Sequence, residues 1–156
     1  MLTNNYDLKV NIRPAVEKDM PLVMGLVNEL ALFEKAPEEV INTAEQMKID
    51  GFGDIPLFKC IVAESDSGIL GFALYYYRYS TWKGKCLYLE DFYVKEDFRN
   101  FGIGKLLFET IIKTAKHDNC KRINWQVLDW NEPAIKFYKK YNAGFDKEWW
   151  NGYIEL

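Results

Sequence analysis

The stretch from Leu87 to His117 constrains this chain most. It reads Leu87-Tyr-Leu-Glu90-Asp-Phe-Tyr-Val94, then Lys95-Glu-Asp-Phe98, then Arg99-Asn-Phe-Gly102-Ile-Gly104-Lys105, and then a periodic run. The first part mixes aromatic and aliphatic residues and ends in a charged turn, the signature of a strand. The last part carries Ile103, Leu106, Leu107, Thr110, Ile111 and Thr114 at three- and four-residue spacing, which predicts a helix with these residues on one face. Between them lies Arg-x-x-Gly-x-Gly. Glycines let a backbone pass close to a ligand, and the N–H groups of a helix's first turn have no intrahelical partner. With the positive end of the helix dipole they predict an anion site, most often for phosphate.

Two familiar phosphate motifs do not fit. A P-loop needs Gly-Lys followed by Ser or Thr, and here Lys105 precedes Leu106. A dinucleotide fingerprint needs a third glycine where Leu107 stands. With 156 residues, one domain spanning 1–156 is expected. Hydrophobic residues make up 49%, which excludes a disordered chain, and no apolar run approaches a membrane span. The first residues, Met-Leu-Thr-Asn-Asn-Tyr-Asp, have neither a basic nor an apolar region, so no signal peptide is expected. Cys60, Cys86 and Cys120 are odd in number and lack metal-ligand spacing. They predict a reduced, cytoplasmic protein with free thiols and no metal. A net charge of -3 argues against nucleic acid as the partner and is compatible with a cationic substrate.

The remaining segments order themselves around this stretch. Residues up to Asp7 read as a loose tail, and Leu8 to Pro14 as a first strand. Asp19 is placed to cap a helix that carries Pro21 in its first turn and ends near Phe33-Glu34-Lys35. Thr43-Ala-Glu-Gln46 has capping-box spacing and predicts a second, shorter helix towards Gly51. Strands follow over Phe58 to Glu64, Ile69 to Tyr77 and Cys86 to Val94, joined by Asp66-Ser67-Gly68 and Trp82-Lys-Gly84-Lys. After the helix, Arg122 to Leu128 predicts a strand parallel to its predecessor. Trp130-Asn-Glu-Pro133 opens a last helix, stopped by Asn142-Ala143-Gly144 with glycine in the left-handed conformation, and Lys147 to Leu156 reads as a final strand. The order β-α-α-β-β-β-α-β-α-β gives an α/β (α+β) fold, a mixed, mostly antiparallel sheet flanked by helices.

Arg99-x-x-Gly102-x-Gly104 between strand and helix, in that order of elements, resembles the GNAT superfamily of N-acetyltransferases. Leu87 to Val94, Phe98 to Gly104, Trp130-Asn-Glu-Pro133-Ala-Ile-Lys-Phe-Tyr138, Asn28 to Glu34 and Asp50-Gly-Phe-Gly53 are similar to the diamine (spermidine/spermine) N-acetyltransferase family. Asn100 departs from the glycine usual in the loop, and Lys-Lys-Tyr-Asn-Ala-Gly-Phe after Tyr138 departs from the usual ending. The resemblance implies the GNAT acyltransferase fold, acetyl-coenzyme A (acetyl-CoA) as cosubstrate, and a homodimer. It implies that Arg99, Asn100, Phe101, Gly102, Ile103, Gly104 and Lys105 hold the pyrophosphate. Phe92, Tyr93 and Val94 would line the pantetheine arm by sheet-edge hydrogen bonds, with Asn131, Pro133, Ala134 and Tyr138 closing on it.

Acetyl transfer from a thioester to an amine needs a held donor, a neutral amine and a proton for the departing thiolate. The resemblance makes Tyr138 the acid; a tyrosine of ordinary pKa, about 10, is protonated at neutral pH. Glu90 is the candidate base: an alkylammonium must lose a proton before attack, and a strand carboxylate beside the donor thioester is placed to accept it through water. Alternation along a strand sends Glu90 and Asp91 to opposite faces, so only one of them is expected to serve. Phe33, Glu34, Glu90, Trp125, Gln126 and Glu148 are the substrate-binding set, and Glu34, Glu90 and Glu148 are expected to hold one ammonium of a polyamine, thialysine or lysine-like acceptor. His117, the single histidine, has no nucleophile signature beside it, which sets a hydrolase aside. An acetyl-CoA sensor without turnover would need neither Tyr138 nor Glu90, and a protein-lysine acetyltransferase would share every donor residue.

Overall fold

The computed structural model describes residues 8–156, and the tail expected up to Asp7 lies outside the described residues. The chain falls into two compact units, one running to Trp125 and one from Gln126 to Leu156. The first holds a five-stranded sheet in the order β1 (Asn11–Pro14), β2 (Lys59–Ser65), β3 (Gly68–Ser80), β4 (Gly84–Val94) and β5 (Ile123–Asn124). The first four strands pair antiparallel, and β5 runs parallel to β4. Helices α1 (Met20–Phe33) and α2 (Ala44–Phe52) share a core with Cys60, Val62, Phe72, Leu74 and Tyr93 on one face of the sheet. Helix α3 (Ile103–His117) meets the other face, where the Phe108 ring lies 5.8 Å from Phe92 and 5.8 Å from Trp125.

Local chemistry explains these elements. Gly68 and Gly84 take positive φ at the two hairpin turns, where a side chain would be strained. The Thr43 hydroxyl accepts the amide of Gln46 and opens α2, as the spacing predicts. Asp19 does precede α1, but it caps nothing in the ordinary way. Its carboxylate accepts the Val16 amide at 2.8 Å and both terminal nitrogens of Arg13 at 2.7 and 3.2 Å. Arg13 also grips Glu64 on β2, at 2.7 and 2.9 Å. One guanidinium thereby joins β1, β2 and the start of α1.

Four sequence expectations change. β5 is two residues long, not Arg122 to Leu128. No strand forms over 147–156; aromatic residues favour strands only when a neighbouring strand pairs with them, and these have no ladder partner. The left-handed residue after α4 (Glu132–Lys139), the helix of the second unit, is Asn142 at φ 58°, not Gly144. The buried face of α3 is Ile103, Leu107, Phe108, Ile111 and Ala115, while Leu106 is exposed. Thr110 and Thr114 satisfy their hydroxyls on the carbonyls of Leu106 and Thr110, which leaves them at the margin of that face.

The Asp19 side chain is 5% exposed, and its hydrogen bonds to Arg13 hold its pKa below the usual carboxylate range. Asp19→Asn should lower stability at pH 7 by about 2 kcal/mol, the loss of charge-assisted hydrogen bonds to an Arg13 that keeps Glu64. A depressed carboxylate contributes its stability above its unfolded pKa and loses it as pH falls through the folded one. The gap between wild type and variant in urea titrations should therefore shrink below about pH 4.

Candidate active site

The site begins with a counting error in a ladder. Tyr88 pairs with Tyr76 and Leu89 with Tyr75, but the next partner, Leu74, belongs to Asp91. Glu90 is the extra residue of a β-bulge, a feature that kinks a strand and re-aims its side chains. Leu74 and Tyr76 share a face because they are two apart, so Tyr88 and Asp91 share it although they are three apart. Glu90 turns to the same side, where its Oε2 accepts the Tyr76 hydroxyl at 3.1 Å. The expectation of opposite faces is thus corrected: the bulge breaks the alternation on which it rests. Both carboxylates look to the α1/α2 face.

The three carboxylates of this face differ in environment. Glu90 is exposed. Asp91 is half-buried, and loss of solvent, followed by the charges of Glu90 and Glu34, pushes its pKa up to about 6. Glu34 closes the C-terminus of α1 and is shifted upward by its own partial desolvation. Asp91 is the group that sequence reading set aside. Its signal was adjacency to Glu90, but a bulge has no residue-type signature here.

The glycine loop adjoins the same strand. Gly102 stands at φ 80°, before α3, with nothing within 4 Å of the place a Cβ would take, and Asn100 is also left-handed at φ 67°. Asparagine tolerates that conformation better than any residue but glycine, which accounts for the departure at Asn100. The first rung of α3 runs from the Leu106 amide to the Gly102 carbonyl, and no side chain caps the helix. The amides of Ile103, Gly104 and Lys105 therefore precede the ladder and suit a pyrophosphate. Phe101 is exposed beside them, Ile103 is buried, and Lys105 lies 3.9 Å from Glu109. A Cβ on Gly104 would sit 3.5 Å from Phe92. Arg99 turns inward instead of outward. Its Nε donates to the Val94 carbonyl at 3.0 Å, and its guanidinium lies 5.1 Å from the Phe33 ring and 5.2 Å from the Tyr93 ring. It pins the loop to β4 and to the end of α1.

β4 also has an edge to offer. β5 pairs only with Leu87 and Tyr88, so Leu89 to Val94 run past its end. In the second unit, the Asn131 side chain caps α4 by accepting the Ala134 amide at 3.3 Å, with Pro133 in the first turn. Tyr138 is buried, its ring 5.5 Å from Phe137. Trp125 packs edge-on against Phe108, Gln126 is exposed, and Glu148 is exposed with its amide on the Asp146 carboxylate. Among the described residues no group of three or more His, Cys, Asp or Glu is placed to hold a metal. Cys60 is buried with its thiol pushed up to about 12, and His117 is exposed against Asp118. No described helix is long and apolar enough to cross a membrane.

Known proteins are similar to this chain in sequence and fold. The Acetyltransferase (GNAT) family model matches residues 27–145. A thialysine N-epsilon-acetyltransferase of Bos taurus is 39% identical over 142 residues, covering 86% of this chain and 84% of its own. The human spermidine/spermine N(1)-acetyltransferase-like protein 1 is 39% identical over 139 residues, 85% of this chain and 20% of that longer protein. A solved aminoglycoside acetyltransferase from an uncultured soil metagenomic sample superposes with a TM-score of 0.76 at 18% identity, over 94% of this chain and 96% of the other. With the family match spanning β2 to β5, the glycine loop and α4, the chain belongs to the GNAT acetyltransferase family and is an N-acetyltransferase.

Proposed function

We propose that this protein transfers acetyl from acetyl-CoA to the primary amine of a small, cationic, thialysine- or lysine-like acceptor in a ternary complex. The observation that carries this reading is the bulge that gathers Glu90 and Asp91 on one face, beside Glu34 and on the strand that leads into the glycine loop and the uncapped N-terminus of α3. The amides of Ile103 to Lys105 hold the pyrophosphate, and the β4 edge over Phe92 to Val94 accepts the pantetheine arm. Asp91 or Glu90 takes a proton from the bound ammonium. The freed lone pair forms the C–N bond as the C–S bond breaks, the Tyr138 hydroxyl gives its proton to the sulfur, and the second proton lost by the nitrogen returns through water to the tyrosinate, leaving a neutral amide and a thiol. Free thiols at Cys60, Cys86 and Cys120 support a reducing, cytoplasmic setting. Exposed Tyr79, Trp82, Trp149 and Trp150 support a homodimer, which light scattering at micromolar concentration tests.

Gly102→Glu puts a negative side chain at a left-handed position under the proposed pyrophosphate. Calorimetry should show acetyl-CoA affinity reduced by about tenfold or more, 1.4 kcal/mol. Unchanged affinity in a folded variant removes the loop from the site. Tyr138→Phe should lower kcat by about 10²–10⁴-fold with little change in acetyl-CoA binding, and wild-type turnover would leave Tyr138 a packing residue.

The carboxylates predict a pH dependence. Asp91 is a base only above its raised pKa of about 6. A plot of kcat/KM against pH should fall on the acid side with a limb near that value, and Asp91→Asn should abolish the limb as well as slow the reaction. A limb that persists unmoved in Asp91→Asn assigns it to another group. Glu90→Gln should cost most at low pH, where the amine is most fully protonated.

A further inference from the structure

β2 pairs with β3 only as far as Lys59 with Tyr75. Beyond that point β3 has no partner on its β2 side, and β3 and β4 continue as a ribbon to the pair Ser80 and Gly84, with β5 beside β4 only at Leu87 and Tyr88. On the α1/α2 face of this ribbon, Tyr76 and Tyr88 stack at 5.3 Å with their planes 28° apart. Two residues further along β3, on the same face, Arg78 lays its guanidinium 5.8 Å from the centre of the Tyr88 ring. At the other end of the aromatic pair, the Tyr76 hydroxyl reaches Glu90. The sequence along the face is therefore cation, apolar floor, carboxylates.

That order discriminates between acceptors. Both phenols are pushed upward, chiefly by loss of solvent, so the floor is neutral. Arg78 is exposed, and none of the ion pairs among the described residues includes it. An acceptor whose amine sits at Glu90 and Asp91 extends its far end over the tyrosines towards this guanidinium. Arg78 stands four residues along β3 from Leu74, the partner of Asp91, about 13 Å at the backbone, and its guanidinium reaches back over the Tyr88 ring, which leaves a gap that a short methylene chain bridges. A diamine would bring a second ammonium against Arg78 and be repelled. An amino acid would bring a carboxylate, for which a guanidinium offers a two-pronged, charge-assisted partner.

We infer that Arg78 is a specificity-determining residue that binds the α-carboxylate of the acceptor, so that the enzyme selects amino acids carrying a side-chain amine over polyamines. The inference rests on the acetyl-transfer reading proposed above, and its test separates the two. L-Lysine and cadaverine share a chain and differ by the carboxylate. Thiol release at saturating acetyl-CoA should give wild type a kcat/KM for lysine above that for cadaverine by about tenfold or more. Arg78→Ala should raise KM for lysine about tenfold while leaving its kcat near wild type, and should lower KM for cadaverine as the repulsion is relieved. Arg78→Lys should retain most of the preference, and Arg78→Glu should reverse it. A ratio of the two acceptors unchanged by Arg78→Ala, or a wild type that prefers cadaverine or spermidine, overturns the inference alone. A wild type that acetylates no amine overturns the acetyl-transfer reading and this inference with it.

Discussion

The structure depends on one surplus residue in the β3–β4 ladder. Without Glu90, β4 would alternate cleanly and Asp91 would be the one carboxylate on its stretch of the α1/α2 face. With it, the strand bends, two carboxylates share that face, and β5 parts from β4 after Tyr88. The same kink thus crowds negative charge where the proposed function places an ammonium, and leaves an unpaired edge where it places the pantetheine arm. Burial and crowding together have a chemical result: loss of solvent, then the charges of Glu90 and Glu34, pushes Asp91 up to about 6, while Glu90 stays exposed. Carboxylates in contrasting surroundings are a recurrent way to divide binding from proton transfer.

The supports of this arrangement are electrostatic as much as apolar. Arg13 fastens β1, β2 and α1 through Asp19 and Glu64, so the helix that ends in Phe33 and Glu34 starts from a fixed point. Arg99 does the same at the far end, bonding the Val94 carbonyl and resting between Phe33 and Tyr93. Its inward turn leaves backbone amides, more than this side chain, as the donors that the proposed function gives to a pyrophosphate. Such amides are fixed in place before the ligand arrives, which favours anion binding without reorganisation.

Much of this was legible in the residues. Strand, glycine loop and helix from Leu87 to His117 fall where the pattern puts them, as do the α1 boundaries, the Thr43 cap and both hairpin turns. What could not be read was anything that depends on a neighbour. The alternation rule assumes a regular ladder, so it sent Glu90 and Asp91 apart. Periodicity on α3 counted Leu106 as apolar, but only packing decides that Phe108 and Ala115 face inward. Strand propensity in Trp149, Trp150 and Tyr153 had no partner to act on. Arg13 and Asp19 lie six residues apart, and nothing local announces that Glu64 completes their pairing.

The central claim is that the bulge, and not only the charge it carries, builds the acceptor site. Deleting Glu90 tests it directly. The deletion would leave Leu89 opposite Tyr75 and Asp91 opposite Leu74, a regular ladder in which every other side chain keeps its face. Acetyl-CoA-dependent turnover should be compared between this deletion and Glu90→Ala, with circular dichroism confirming that both fold. The account predicts a deletion variant slower than Glu90→Ala by about tenfold or more, since misplacing reacting groups costs rate beyond the loss of one carboxylate. Equal turnover in the two variants would contradict it.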